Sequence, residues 1–121
     1  MAQSARELIS IAYRNITGEV PALSKLKLVF RLELRGRGDV QVFRVRVPGP
    51  DISKTEPDDA RVDISLPRPD FNELVASGKI KDWRDAYVRG HIKASGDPNV
   101  LKLVGQVIER QMARSQLKKA H

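Results

Sequence analysis

The chain reads as an α+β fold built on an antiparallel sheet, and three observations predict it. Segments Leu26–Leu34, Val40–Val47 and Arg61–Leu66 alternate apolar with polar residues at the period of a half-buried strand. Other segments place apolar residues at helical spacing between recognisable start and stop signals. These helical segments gather at the ends and middle of the chain instead of alternating regularly with strands, as expected when a sheet is not built from parallel crossover units.

Ser4 and Glu7 stand three residues apart as a capping box, ahead of Leu8, Ile9, Ala12 and Ile16 at helical spacing. The first helix is therefore expected from Ala5 to Ile16, stopped near Gly18 and Pro21. Leu26, Leu28, Phe30, Leu32 and Leu34 then alternate with Lys27, Val29, Arg31, Glu33 and Arg35, one dry face against one wet. Gly36-Arg37-Gly38-Asp39 supplies a turn into a second strand, Val40 to Val47. The phase of that strand slips: Val40 and Val42 share one parity, and Phe43, Val45 and Val47 the other. A bulge or twist near Phe43 is the expected remedy. Pro48-Gly49-Pro50 ends the strand, and the polar stretch Asp51–Asp59 has room for a short edge strand around Ile52–Lys54.

Val62, Ile64 and Leu66 alternate with Arg61, Asp63 and Ser65, giving another one-sided strand closed by Pro67 and Pro69. Pro69 also suits the first turn of the next helix, whose amide there needs no partner. Phe71, Leu74 and Val75 share one face of that helix, with Gly78 as its cap. Trp83, Ala86 and Tyr87 repeat the pattern in a second short helix closed by Gly90. Ile92 and Ala94 form a last strand, and Gly96-Asp97-Pro98 opens a long helix with Asp97 as cap and Pro98 at its first position. Leu101, Val104, Ile108 and Met112 make its stripe, widened by Val100, Leu103 and Val107.

At 121 residues the chain should form one domain over 1–121, large enough for a single core. It has no cysteine, which removes disulfides, thiolate metal sites and cysteine nucleophiles. Neither a signal peptide nor an apolar run approaching the roughly 20 residues of a bilayer span is legible. The C-terminal Lys118-Lys119-Ala120-His121 is no peroxisomal address. The expected location is cytoplasmic.

Twenty-two basic against fifteen acidic residues give a formal charge of +7. That excess is spread along the chain, with one concentrated patch from Arg110 to Lys119. Ordinary solubility accounts for most of it. The few aromatics sit at core-like spacings, not interleaved with arginine as a base-stacking platform requires, which speaks against nucleic acid as a partner.

Chemistry finds no foothold. Ser65, Ser77 and Ser95 lack a nucleophile elbow and a placed histidine base. Two histidines without cysteine fall short of a metal site, and His91 reads as solvated. Asp51, Glu56, Asp58 and Asp59 fit no calcium-loop spacing and read as a solvated loop. Gly36-x-Gly38 belongs to a hairpin, not a phosphate loop. No catalytic residue, cofactor or metal ligand is assigned.

The run Asp70-Phe71, Leu74, Gly78-Lys79, Ala86, Gly90, Ile92-Lys93 and Gly96-Asp97, followed by a long closing helix, resembles the sterol carrier protein type-2, or non-specific lipid-transfer, family. The resemblance covers Val62 to about Met112. The chain departs from the family at Arg61, where an acidic residue is common, and at Pro48-Gly49-Pro50, where a lysine-glycine turn is common. The resemblance implies a five-stranded, mostly antiparallel sheet with helices packed on one face and an apolar tunnel between them. The tunnel would take fatty acids, acyl-CoA, sterols or phospholipid. By position it would be lined by Phe71, Leu74, Trp83, Tyr87, Leu101, Val104, Ile108 and Met112.

Each of these residues also has a plainer role as core, because a domain of this size needs nearly all its large apolar side chains to fold. Trp83 and Tyr87 could equally anchor a short helix. Arg110, Arg114, Lys118 and Lys119 complement the dipole at a helix C-terminus, and would also suit transient docking on an anionic membrane. The resulting expectation is a carrier of apolar ligands without chemistry of its own. The other readings are an accessory subunit of a lipid- or sterol-metabolising enzyme, and a basic nucleic-acid-binding module.

Overall fold

The computed structural model describes residues 4–119, without the side chains of Gln116, Lys118 and Lys119. Helix α1, Ala5–Glu19, starts as its capping box predicts, with the Glu7 amide donating to Ser4 Oγ at 3.2 Å. It runs one turn past the expected end, because Gly18 weakens a helix without breaking it. Pro21 then opens a 3-10 helix, Pro21–Lys25, that the periodicity did not suggest.

Strands β1 (Leu28–Gly36) and β2 (Asp39–Val47) form an antiparallel hairpin in continuous register from Gly36↔Asp39 to Leu28↔Val47. The expected bulge near Phe43 is therefore absent. Val40 and Val42 lie on the outer face with Arg35 and Glu33, and Val40 is 55% exposed. Phe43, Val45 and Val47 alone face the core. The short edge strand β3, Asp51–Ser53, pairs with β2 where expected.

Strand β4, Val62–Pro67, lies beside β1 in the same direction, from Phe30↔Val62 to Arg35↔Pro67. Strand β5, Lys93–Gly96, then pairs antiparallel with β4, giving the order β3-β2-β1-β4-β5. The sheet is mixed, with one parallel pair at its centre and three antiparallel pairs, in line with the mostly antiparallel, five-stranded sheet that the resemblance implied, although alternation alone had suggested an antiparallel sheet. Alternation reports which face of a strand is wet but not which way its neighbour runs.

Helices α2 (Arg68–Ser77) and α3 (Ile80–Val88) follow β4, and α4 (Pro98–Lys119) follows β5. Pro69 sits at the second, not the first, position of α2. Gly78 ends the helix in the left-handed conformation, φ 69°, with its amide on Leu74 O. The inner face of the sheet and the helices above it share one core, in which Leu34, Val45, Leu66 and Phe71 are 0–2% exposed. Burying such side chains is worth about 1.5–3 kcal/mol each.

The opposite sheet face carries charge. Arg31 and Arg44 stand directly across from one another, a repulsive placement unless neutralised. The loop between β3 and β4 neutralises both: Arg31 Nε donates to Glu56 at 2.6 Å, and Arg44 grips Asp59 in a fork of 3.0 and 2.7 Å. The acidic stretch is exposed, as expected of a solvated loop, and through Glu56 and Asp59 it also straps the sheet. Ser65 donates to Glu33 at 2.8 Å, which together with Arg31 holds that carboxyl below the usual carboxylate range.

Candidate functional site

Two apolar clusters meet under the helices. The first is the main core, containing Phe71 and Leu74 of α2. The second consists of Val20, Leu23 and Ile80, with Ile16, Leu26, Trp83, Val104, Val107 and Ile108 packed against it. Trp83 touches both. Its indole meets the Phe71 ring edge to face, with centroids 6.1 Å apart and planes at 74°, a favoured aromatic geometry.

Local chemistry holds Trp83 there. The Glu19 carboxylate, at the end of α1, accepts from the Ile80 amide and so caps α3 from a distant part of the chain. Ser77 donates to Asp82 at 2.6 Å and accepts from the Lys79 amide at 3.2 Å, bracing the α2–α3 turn. Ile80, Trp83 and Ala86 then point inward at intervals of three residues.

Helix α4 is anchored firmly at its start. Gly96 has φ 122°, and a Cβ there would lie 2.5 Å from Arg61 O and 2.9 Å from Val62 Cα. Only glycine allows so close an approach of two backbones. The Asp97 amide donates to Arg61 O at 2.9 Å, and the Asp97 carboxylate accepts from the Asn99 amide at 2.9 Å and from Arg61. Arg61 first, and the Asn99 amide second, hold the Asp97 carboxyl below the usual range. Further along, Arg84 of α3 reaches Glu109 at 2.6 Å.

Between these anchors the helix is lightly seated. Among its described side chains none is buried, although its apolar stripe extends over several turns. Leu101, Val104, Val107, Ile108 and Met112 are half-buried, and Leu103 is 45% exposed. An amphipathic helix ordinarily gains its stability by burying such a stripe. Here the stripe packs on the buried second cluster while remaining half-exposed itself.

The structure thus separates the residues singled out by sequence. Phe71, Leu74 and Trp83 gather in the first cluster, and Trp83, Val104 and Ile108 at the second. Leu101 and Met112 lie on α4 outside both clusters. Tyr87 does not face the interior at all: it is 55% exposed, because Ala86 takes the inward position and the next residue turns out to solvent. Arg110 and Arg114 are exposed on α4, while the side chains of Lys118 and Lys119 lie outside the described part.

Val20, Leu23 and Ile80 were missed. The signal that finds the first two is a period of three, Val20-Leu23-Leu26, the repeat of a 3-10 helix.

Among the described residues, two buried polar atoms on the helix side of the sheet have no hydrogen-bond partner, Tyr13 Oη and Trp83 Nε1. A third, Arg35 Nε, belongs to the outer face. A shallow open depression of about 370 Å³ lies on α1 between Arg6, Glu7, Ser10, Ile11 and Arg14, and contains none of the residues above. Among the described residues no group of three acidic, histidine or cysteine side chains could hold a metal ion, and no helix is long and apolar enough to cross a membrane.

No protein-family model matches the sequence, and no curated protein matches it either. Solved structures do match the fold. Palmitated SCP2L2 from Aedes aegypti superposes with a TM-score of 0.62 at 19% identity, covering 88% of this chain and 95% of that one. The sterol carrier protein domain 2 of Helicoverpa armigera gives 0.56 at 14% identity, covering 90% and 93%. A conserved protein of Thermus thermophilus, described as possibly a sterol carrier protein, gives 0.57 at 13% identity, covering 92% and 85%. The chain has the sterol carrier protein 2 fold, as the spacing from Asp70 to Asp97 implied.

Proposed function

We propose that this protein binds and carries an apolar ligand, an acyl chain or sterol-like body, between α4 and the cluster of Val20, Leu23 and Ile80. The observation that carries the reading is the seating of α4: a long amphipathic helix, fixed at its start, whose apolar stripe stays half-exposed while it packs on the buried cluster of Val20, Leu23 and Ile80. The palmitated state of SCP2L2, which shares the fold, favours a long acyl chain.

The mechanism is partition. The ligand's apolar body leaves water or membrane, α4 lifts about its anchor at Asp97, and the half-exposed Val104, Val107 and Ile108 close over the ligand. A dozen methylenes contribute about 10 kcal/mol at about 0.8 kcal/mol each. Association costs of about 4–15 kcal/mol oppose this, so the extra burial of α4 is what brings affinity into the micromolar range. No bond in the ligand changes. Arg110 and Arg114, exposed one turn apart on α4, suit docking on an anionic bilayer during loading. Sedimentation with vesicles that is indifferent to their anionic content speaks against that docking step.

Trp83 is the single tryptophan of the chain and stands at the junction of the clusters, so it serves as an internal probe. Titration with a conjugated fatty acid such as cis-parinaric acid is expected to quench Trp83 by energy transfer, saturably and at micromolar concentration. Absence of saturable transfer rejects the reading.

A further inference from the structure

We infer that the end of α3 is a membrane-inserting tip: Tyr87 and Val88 enter the headgroup layer of an anionic bilayer while Arg89 and the cations around it hold the phosphates. The inference rests on the docking step proposed above and gives that step an inserting element outside α4. It does not depend on what the protein carries.

Tyr87, Val88, Arg89, Gly90 and His91 are exposed in unbroken succession. Tyr87 is 55% exposed and Val88 73%, the barest large apolar side chain among the described residues. Exposed apolar residues standing singly are ordinary on a protein surface. Two in a row at the closed end of a short helix, with arginine next, have the composition of an interfacial anchor. Tyrosine brings an apolar ring and a polar hydroxyl, which match the boundary layer of a bilayer.

The backbone of the tip is closed as well. The Gly90 amide donates to Tyr87 O at 3.1 Å and the His91 amide to Ala86 O at 2.9 Å, with Gly90 at φ 83°. These are the paired bonds of a Schellman cap. The Arg89 amide donates to Asp85 O at 3.0 Å. All three amides therefore meet a poorly hydrated layer already satisfied, as backbone in contact with lipid must be.

Charge selects the surface. Basic residues occur throughout the chain, but their excess over acidic ones gathers at its end. Residues 1–78 hold twelve basic and eleven acidic residues, and residues 79–121 ten and four. Helices α3 and α4 lie side by side, since Ile80 and Trp83 share the second cluster with Val104, Val107 and Ile108, and Arg84 reaches Glu109 at 2.6 Å. The acidic groups near the tip are Asp85, half-buried in the last turn of α3, and Asp70, 3.6 Å from His91. A field so placed turns the α3–α4 side, and not the nearly neutral remainder, toward an anionic surface.

The chain has no cysteine, so Val88→Cys and, for comparison, Val40→Cys on the outer sheet face each take one environment-sensitive NBD label. With vesicles of phosphatidylcholine and phosphatidylglycerol, the label at position 88 is expected to shift to the blue and to be quenched by a headgroup-level nitroxide lipid. The label at position 40 should stay as in water, and phosphatidylcholine alone should move neither. The unlabelled Tyr87→Ser/Val88→Ser variant should sediment with the anionic vesicles about tenfold more weakly than wild type. Its melting temperature should be unchanged, because both side chains already face water. A water-like label at position 88 on sedimented protein overturns the tip, as does equal sedimentation of the double variant or failure of wild type to bind these vesicles. None of these results touches the titration of Trp83 with cis-parinaric acid in the absence of vesicles, which decides the carrier function by itself.

Discussion

Replacing Ile108 by alanine separates a lightly seated roof from an integral part of the core. Ile108 is half-buried, touches the second cluster at its margin, and shares that contact with Val104 and Val107. Truncating a fully buried isoleucine or leucine costs about 2–5 kcal/mol, part of which is the cavity left behind. At Ile108 the lost contact is partial, and the edge of the site can collapse, so about 1–2 kcal/mol is expected. Phe71→Ala provides the contrast: Phe71 is 2% exposed and braced by Trp83, and its loss should cost about 3–5 kcal/mol. Urea denaturation followed by circular dichroism measures both on one scale. The same Ile108→Ala variant should weaken a bound acyl chain about fivefold, since roughly 1 kcal/mol of contact with the ligand is removed. If Ile108→Ala destabilises the protein as much as Phe71→Ala does, α4 belongs to the core and the argument for a movable roof fails.

The anchor and the acid response supply further checks. Gly96→Ala must displace the Arg61–Val62 backbone, and its positive φ alone costs about 1–3 kcal/mol. Gly105→Ala, with nothing within 4 Å, should instead stabilise α4 by up to about 1 kcal/mol, so melting temperatures should move in opposite directions; a neutral Gly96→Ala contradicts the close approach. The carboxyls of Glu33, Asp59 and Asp97 are held below their ordinary range by hydrogen bonds from Ser65, Arg44 and Arg61 respectively. Such groups stabilise the fold fully above the ordinary carboxylate range, near pH 4, and withdraw that support as pH falls through their lower folded values. Asp97→Asn should therefore flatten the acid limb of the stability profile, and an unchanged limb removes Asp97 from the account.

Much of this architecture was legible because alternation and caps are local. Ser4, Gly78 and Asp97 mark helix ends through hydrogen bonds within a few residues, and Leu32 and Leu34 declare the dry face of β1. What escaped was set by distant partners. β4 reads like an antiparallel strand because the strap-bearing outer face keeps Asp63 and Ser65 polar, yet it runs parallel to β1. Val40 and Val42 look like core until the unbroken hairpin register places them outside. Glu56 and Asp59 seem idle until Arg31 and Arg44 face each other across the hairpin. Spacing placed Trp83 on the inward face of its helix and the resemblance alone offered it as a site residue, but its position as the joint between clusters depends on Val20 and Leu23, hidden in a three-residue period, and on Glu19 capping α3. Tyr87 was misplaced because a nine-residue helix offers too few turns to fix its inward face.

Hydrogen exchange along α4, with and without lauric acid, tests the central claim most directly. The account predicts that amides from Leu101 to Met112 exchange through local opening, faster than those of β1, β2 and β4, and gain protection when lauric acid is present. If those amides exchange only with global unfolding and lauric acid leaves them unchanged, the helix is no roof and the space beneath it holds no ligand.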